Sequence, residues 1–170
     1  MRKTSAGILP YRKRGSRFEV LLVHPGGPFW AKKDLGSWSI AKGEYEEGED
    51  PFQSALREFL EETGYQPAGP FLPLKQRKQP SGKLVDAWAT ECDWDTTKLV
   101  SNTFSLEWPK GSGKVKDFPE IDRAEWFDFS EASRRILSGQ RGFLEELFEK
   151  LTGERLPDPS EPPPVQSSLF

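Results

Sequence analysis

Three glutamates stand within one short segment of the chain, at Glu58, Glu61 and Glu62. On a helix at about 100° per residue, the three carboxylates fall within an arc of about 100°, where like charges repel each other. Mg²⁺ or Mn²⁺ would relieve this repulsion, because both ions take oxygen ligands. The alternative is an acidic face in contact with solvent, which is the commoner arrangement. The glutamates alone leave the choice open.

The residues around the glutamates narrow that choice. Gly43 is followed after five residues by Glu49, and after seven more by the run from Arg57 to Tyr65. This spacing resembles the box of the Nudix (MutT-like) hydrolases at every fixed polar and glycine position. The box residues are Gly43, Glu49, Arg57, Glu58, Glu61, Glu62 and Gly64. Two positions that are usually aliphatic hold Phe59 and Tyr65. The resemblance extends more loosely over residues 3–151.

The resemblance implies a metal-dependent hydrolase that cleaves a phosphoanhydride bond in a nucleoside-diphosphate-linked substrate. Carried onto this chain, it implies that Glu58 and Glu62 are the main ligands of Mg²⁺ or Mn²⁺. Glu61 is then a third ligand or the base that orients water. Gly43 allows close backbone approach, and the carbonyl group next to it offers a further oxygen ligand.

The remaining box residues are expected to support the ligands. The guanidinium of Arg57 suits a charge-assisted hydrogen bond that orients a glutamate, and Glu49 supports the loop or a metal-bound water. Some family members place the general base six residues before a tryptophan. Here Glu120 precedes Trp126 by that spacing, and the alternative for Glu120 is an ordinary acid on a surface loop.

The residue before the box bears on the substrate. The segment from Ala41 to Gly43 resembles the Pro-Lys-Gly of enzymes that act on diadenosine or diphosphoinositol polyphosphates, with alanine in place of proline. Lys42 is therefore a candidate for binding a phosphate of a long polyphosphate chain, or else a solvated lysine. Residues 4–7 also resemble the diadenosine polyphosphate branch.

Four further residues are candidates for substrate binding. Trp30 and Tyr45, together with Phe29, could stack on a base, although such side chains more often serve packing. His24 is the only histidine of the chain and is either a phosphate or water contact or a structural residue.

The leading function is hydrolysis of a dinucleoside polyphosphate such as diadenosine tetraphosphate. Nucleoside triphosphates, ADP-ribose and other nucleotide sugars are rival substrates. Two other classes of function are a nucleotide-binding module without catalysis and a plain acidic interaction helix. The complete box favours an enzyme, because a binding-only descendant would be expected to have lost one of the glutamates.

A helix over residues 50–63 is expected to position the box. Asp50 is a good N-cap residue, Pro51 suits the first helical position, and Gly64 can take the left-handed conformation at the end. A hairpin precedes it, with strands over 4–12 and 18–23. The other predicted strands cover 38–40, 71–78, 83–92, 103–108 and 124–127, and a second helical region covers 130–151. These elements predict an α+β protein, an α/β/α sandwich on a central mixed β-sheet.

Composition sets the remaining expectations. The chain has 170 residues, a net charge of −3 and one cysteine, so we expect one domain over residues 1–153 without a disulfide. Residues 154–170 are predicted to be a disordered tail. The acidic balance argues against nucleic acid as a partner, and no apolar run predicts a membrane span. We expect a cytoplasmic monomer or homodimer that binds a small nucleotide.

Overall fold

The computed structural model of the protein describes residues 4–160. Nine strands and three α-helices lie within this range. The strands are β1 (Thr4–Arg14), β2 (Arg17–Pro25), β3 (Ala41–Tyr45), β4 (Phe71–Pro73), β5 (Arg77–Lys78), β6 (Leu84–Glu91), β7 (Thr103–Glu107), β8 (Val115–Pro119) and β9 (Ile121–Asp128). The helices are α1 (Pro51–Thr63), α2 (Phe129–Arg135) and α3 (Arg141–Thr152).

Seven strands form the central sheet, in the order β4-β6-β1-β2-β9, with β3 paired to β1 and β5 to β6. The pair β1–β6 is parallel, and the other pairs are antiparallel, so the sheet is mixed as predicted. Strands β7 and β8 form a separate two-stranded sheet. The first hairpin is confirmed by the pairing of β1 with β2.

Helices cover both faces of the sheet. Successive side chains of a strand point to opposite sides, so one strand contributes to a core on each face. Ala6 and Ile8 of β1 pack in one core with Ala55 and Phe59 of α1. Leu9 packs in the other core, with residues of α2 and α3. The α/β/α sandwich predicted from the sequence is confirmed.

Both ends of α1 form as the sequence predicts. The Asp50 carboxylate accepts the backbone N–H of Gln53 at 3.0 Å, and Pro51 is the first helical residue. Gly64 ends the helix with φ of +81°, and its N–H donates to the Leu60 carbonyl at 2.8 Å.

Other boundaries differ from the sequence prediction. Residues 38–40 make only isolated bridges, and the strand proper begins at Ala41. The second helical region breaks at Ile136, and a short 3₁₀ turn over Ser138–Gln140 precedes α3. Strand β8 was not predicted. The sequence of β8 lacks a strong apolar alternation, because its side chains are mostly exposed.

Packing continues beyond the predicted domain boundary at residue 153. Leu156 is 3% exposed and belongs to the core beneath α3. Residues 161–170 of the predicted tail lie outside the described residues. Between residues 4 and 160, no helix is both long and apolar enough to cross a membrane.

Candidate active site

The buried face of α1 is rotated towards the glutamates. The helical wheel places Glu62 on the solvent side and Leu60 on the apolar side, and both placements are wrong. Glu62 is 8% exposed, whereas Leu60 is 43% exposed. The buried face is centred on Ala55 and Phe59, and Glu62, seven residues after Ala55, lies almost in line with it.

Glu58 lies directly against Gly43. A Cβ atom at position 43 would overlap the Glu58 carboxylate, so the absence of a side chain there is what lets α1 approach β3. The contact joins the first and fourth residues of the box. It gives the glycine expected from the motif a local steric reason.

Carboxylates from two parts of the chain raise the pKa of Glu62. Burial raises the pKa of Glu62 to about 8, and the charges of Glu58 and Glu120 add to this. Lys42 opposes the shift through its charge and its backbone N–H, which donates to Glu62. The pKa of Glu58 is also raised, first by burial and then by Glu61.

Glu120 reaches this cluster from the junction of β8 and β9. Its backbone N–H donates to the Asn102 carbonyl at 2.8 Å, and its own carbonyl accepts the N–H of Gly26 at 2.9 Å. The structure thus places Glu120 near two of the box glutamates, Glu58 and Glu62. Two other acids are engaged elsewhere: Asp86 accepts the Tyr45 hydroxyl and a Gln76 amide, and Glu107 accepts a backbone N–H in the β7–β8 turn.

Arg57 links the acids of the box. Its guanidinium donates to Glu49 at 2.9 Å and to Glu58 at 3.3 Å, and it lies 3.9 Å from Glu61. Glu49 also accepts the backbone N–H of Glu46 at 2.9 Å, which fixes the loop before α1. These contacts join Glu58 and the loop before α1 through one guanidinium.

The donor set fits a hard divalent cation. The groups are carboxylate oxygens, one of them buried, and their mutual repulsion falls when a positive charge is added. Within residues 4–160, no three acidic, histidine or cysteine side chains converge on one point. One oxygen of Glu58 accepts a hydrogen bond from Arg57. Coordination of one metal by several of these glutamates would therefore require their side chains to rotate.

A cavity of about 260 Å³ opens beside the carboxylates. Its polar wall includes Lys42, Glu62 and Glu120, and Trp30 forms part of the opposite, apolar wall. Burial, followed by repulsion from Lys83, lowers the pKa of Lys42. A larger cavity of about 970 Å³, between the first hairpin and residues 152–159, contains none of the box residues.

Gln140 is a structural part of this site that sequence reasoning missed. Its side chain is fully buried; Oε1 accepts the Ile40 N–H at 3.0 Å, and Nε2 donates to Ser39 Oγ at 3.0 Å. These bonds fix the segment that leads into Lys42. No sequence signal marks Gln140, because the contact spans 100 residues.

Two predicted substrate-binding residues are not placed for that role. His24 is fully buried, with Nδ1 2.8 Å from Asp122 and Nε2 2.7 Å from the Lys33 carbonyl, so both ring nitrogens are engaged. The structural alternative describes His24 correctly. Tyr45 packs in the core beneath α1 and donates its hydroxyl to Asp86 at 2.8 Å, away from the cavity.

Comparisons with known proteins agree with this arrangement. The NUDIX domain family matches residues 1–147. An RNA pyrophosphohydrolase of Rhodospirillum rubrum is 25% identical over 165 residues, covering 92% of this chain and 96% of that protein. The C. elegans Ap4A hydrolase binary complex has a TM-score of 0.58 at 21% identity, covering 88% of this chain and 99% of that chain.

The NUDIX domain of Shewanella oneidensis NrtR, crystallised with ADP ribose, has a TM-score of 0.60 at 15% identity, over 89% of this chain and 90% of that one. These two structures share the fold. The family match covers most of the chain, and the box is complete from Gly43 to Gly64. The chain therefore belongs to the NUDIX domain family and is a Nudix pyrophosphohydrolase.

Proposed function

We propose that the protein hydrolyses a phosphoanhydride bond of a dinucleoside polyphosphate, such as diadenosine tetraphosphate, with Mg²⁺ or Mn²⁺. The observation that carries this proposal is the position of Lys42 in one cavity with Glu62 and Glu120. The glutamates would hold a metal that could bind one part of the polyphosphate. Lys42 then supplies a separate positive charge for another phosphate of a long chain.

In this proposal each side chain of the site has a separate role. Glu58 and Glu62 hold the metal, with Glu61 as a third ligand or a residue that orients water. A metal held there would supply positive charge to the diphosphate and a more acidic water for the attack. Glu120 takes the proton from that water. Arg57 keeps Glu58 oriented through the guanidinium–carboxylate hydrogen bond, and Trp30 borders the space for a base.

A second candidate substrate is the 5′-triphosphate end of RNA. The specific observation in its favour is that two RNA pyrophosphohydrolases match this chain over most of its length, one of them from Rhodospirillum rubrum. ADP-ribose and nucleoside triphosphates are weaker candidates, because both have shorter phosphate chains than diadenosine tetraphosphate and so offer less for Lys42 to contact.

A substrate screen tests the proposal. Diadenosine tetraphosphate, ATP, ADP-ribose and a 5′-triphosphorylated oligonucleotide are incubated with Mg²⁺ or Mn²⁺, and released phosphate is measured after a coupled phosphatase. We expect diadenosine tetraphosphate to have the highest kcat/KM. Lys42→Gln should lower that value about tenfold, and Lys78→Gln, at an exposed lysine that does not line the cavity, should not.

Turnover of ATP with an inert dinucleoside polyphosphate would overturn the assignment of Lys42. No metal-dependent turnover of any of the four compounds would favour the non-catalytic binding module instead.

A further inference from the structure

One face of the β7–β8 hairpin combines large apolar side chains, most of them aromatic, with two lysines. Residues that pair directly across an antiparallel ladder lie on the same face. Phe104 pairs with Phe118, and Leu106 with Lys116. Beyond the strands, the Trp108 N–H donates to the Lys114 carbonyl at 2.9 Å, which continues the same pairing. We call Phe104, Leu106, Trp108, Lys114, Lys116 and Phe118 the hairpin face.

The acids of the hairpin lie on its other face. Asp117 pairs with Ser105 and accepts the hydroxyl of that serine at 2.6 Å. Glu107 accepts the Gly111 N–H in the turn. In the described part of the chain, no acidic side chain forms an ion pair with Lys114 or Lys116, and both lysines are exposed. The charges of the hairpin are therefore separated between its two faces.

The hairpin face contacts the loop that leads into the catalytic cavity at Trp30. Phe104 lies against Gly27, where a Cβ atom would come within 2.9 Å of the ring. The Trp108 ring is 5.5 Å from that of Phe29, at an angle of 79°. Phe29 is 62% exposed, and the next residue, Trp30, lines the cavity. Phe29 therefore lies between the hairpin face, which it contacts through Trp108, and Trp30 at the cavity.

A two-nucleotide substrate needs such a surface. The cavity volume of about 260 Å³ lies below the roughly 300–1,000 Å³ of pockets that enclose a whole small ligand. Part of the substrate must extend beyond it. Aromatic side chains that stack on bases, interleaved with lysines that contact phosphates, form the usual surface for a single-stranded nucleotide chain.

We propose that the hairpin face binds the second nucleotide of the substrate, with its base against Phe29 and Trp108 and its phosphate at Lys114 and Lys116. This inference rests on the proposed function, in which the first nucleotide occupies the catalytic cavity. The second nucleotide comes from the far half of a dinucleoside polyphosphate or from the next residue of a 5′-triphosphorylated RNA. The two sources share one recognition chemistry.

The net charge of −3 does not oppose this binding mode. Recognition depends on the local field, and the lysines of the hairpin face are separated from the acids of the same hairpin. Binding of the RNA source would overturn the expectation, drawn from net charge, that nucleic acid is not a partner.

The test compares equilibrium affinities for three probes: ATP, diadenosine tetraphosphate and a 5′-triphosphorylated dinucleotide. Ca²⁺ replaces Mg²⁺, because it binds the same oxygen ligands and the readout is binding alone. The measured quantity is the affinity for each two-nucleotide probe divided by that for ATP. A failure of hydrolysis therefore leaves this test intact.

Two variants remove the two parts of the surface. Lys114→Gln with Lys116→Gln should lower the affinity ratio about fivefold for at least one two-nucleotide probe, and Trp108→Leu should lower it by at least about fivefold. The probe that responds identifies the source. Lys13→Gln with Lys78→Gln makes the same charge change at exposed positions elsewhere and should leave the ratio unchanged.

An unchanged ratio for both probes in the double-lysine variant would overturn the proposal, and so would a wild-type protein that binds neither two-nucleotide probe more tightly than ATP. Circular dichroism checks that Trp108→Leu is folded. Should that variant lose the hairpin, the exposed lysine pair still decides the outcome.

Discussion

At the scale of single residues, Glu62 shows what can be predicted from the sequence and what cannot. Its place in the box makes it a metal-ligand candidate through the resemblance to the Nudix hydrolases. Its burial could not be predicted, because a helical wheel gives angles between residues and not the direction in which the helix docks. Ala55 and Phe59 decide that direction, and they bring Glu62 inwards with them.

Gly43 offers a direct test of the contact between β3 and α1. In Gly43→Ala, the added Cβ overlaps the Glu58 carboxylate, so we expect a loss of about 1–3 kcal/mol in the free energy of unfolding, measured by urea denaturation. Glu58→Ala in the same chain removes the overlapping group and should restore most of that loss. Equal losses in the single Gly43→Ala variant and in the double variant would show that the overlap is not the cause.

At the scale of elements, prediction succeeds where the signals are local. The caps of α1 come from Asp50, Pro51 and Gly64, which lie within the helix or next to it, and they fix both of its ends. The separation of β7 and β8 into their own sheet and the bonds of Gln140 depend on distant partners. Such tertiary contacts leave no periodicity in the sequence, so they appear only in the structure.

Gln140 ties the 3₁₀ turn before α3 to the segment that leads into the box. Gln140→Ala would leave the buried Ile40 N–H without its acceptor, which costs about 1–3 kcal/mol in the free energy of unfolding. Urea denaturation measures this loss, and Ser138→Ala in the same turn is the control, since Ser138 is exposed. Matching stabilities for the two variants would show that the hydrogen bond contributes nothing.

At the scale of the whole molecule, the site joins parts that are distant in the sequence. Strand β3 supplies Lys42 and Gly43, α1 supplies the glutamates, and the junction of β8 and β9 supplies Glu120. The sandwich was predictable from the alternation of strands and helices, and the box from its spacing. The position of Glu120 beside Glu58 was inferred from a resemblance, and the described geometry is consistent with it.

The buried carboxylate makes the stability of the metal-free protein depend on pH. Because the folded-state pKa of Glu62 is raised from 4.5 to about 8, the folded protein keeps a proton that the unfolded chain loses earlier. This contribution is fully present below the unfolded pKa and is lost as pH rises through about 8. In EDTA, the free energy of unfolding of the wild type should therefore fall between pH 5 and pH 8, relative to that of Glu62→Gln. The fall should be on the order of the free energy that corresponds to the pKa change. Parallel pH profiles for the two proteins would contradict the burial of a charged Glu62.

The central claim is that Glu62 holds the metal on which hydrolysis depends. The most direct measurement is Mg²⁺-dependent kcat/KM for diadenosine tetraphosphate in Glu62→Gln, with Glu145→Gln, an exposed acid of α3, as the matched control. We expect a loss of at least about 100-fold in Glu62→Gln, since a negatively charged ligand of the metal is replaced by a neutral amide, and a fold retained by circular dichroism. Glu145→Gln should keep wild-type turnover. Turnover of Glu62→Gln at the wild-type rate, with the same dependence on Mg²⁺ concentration, would contradict the account.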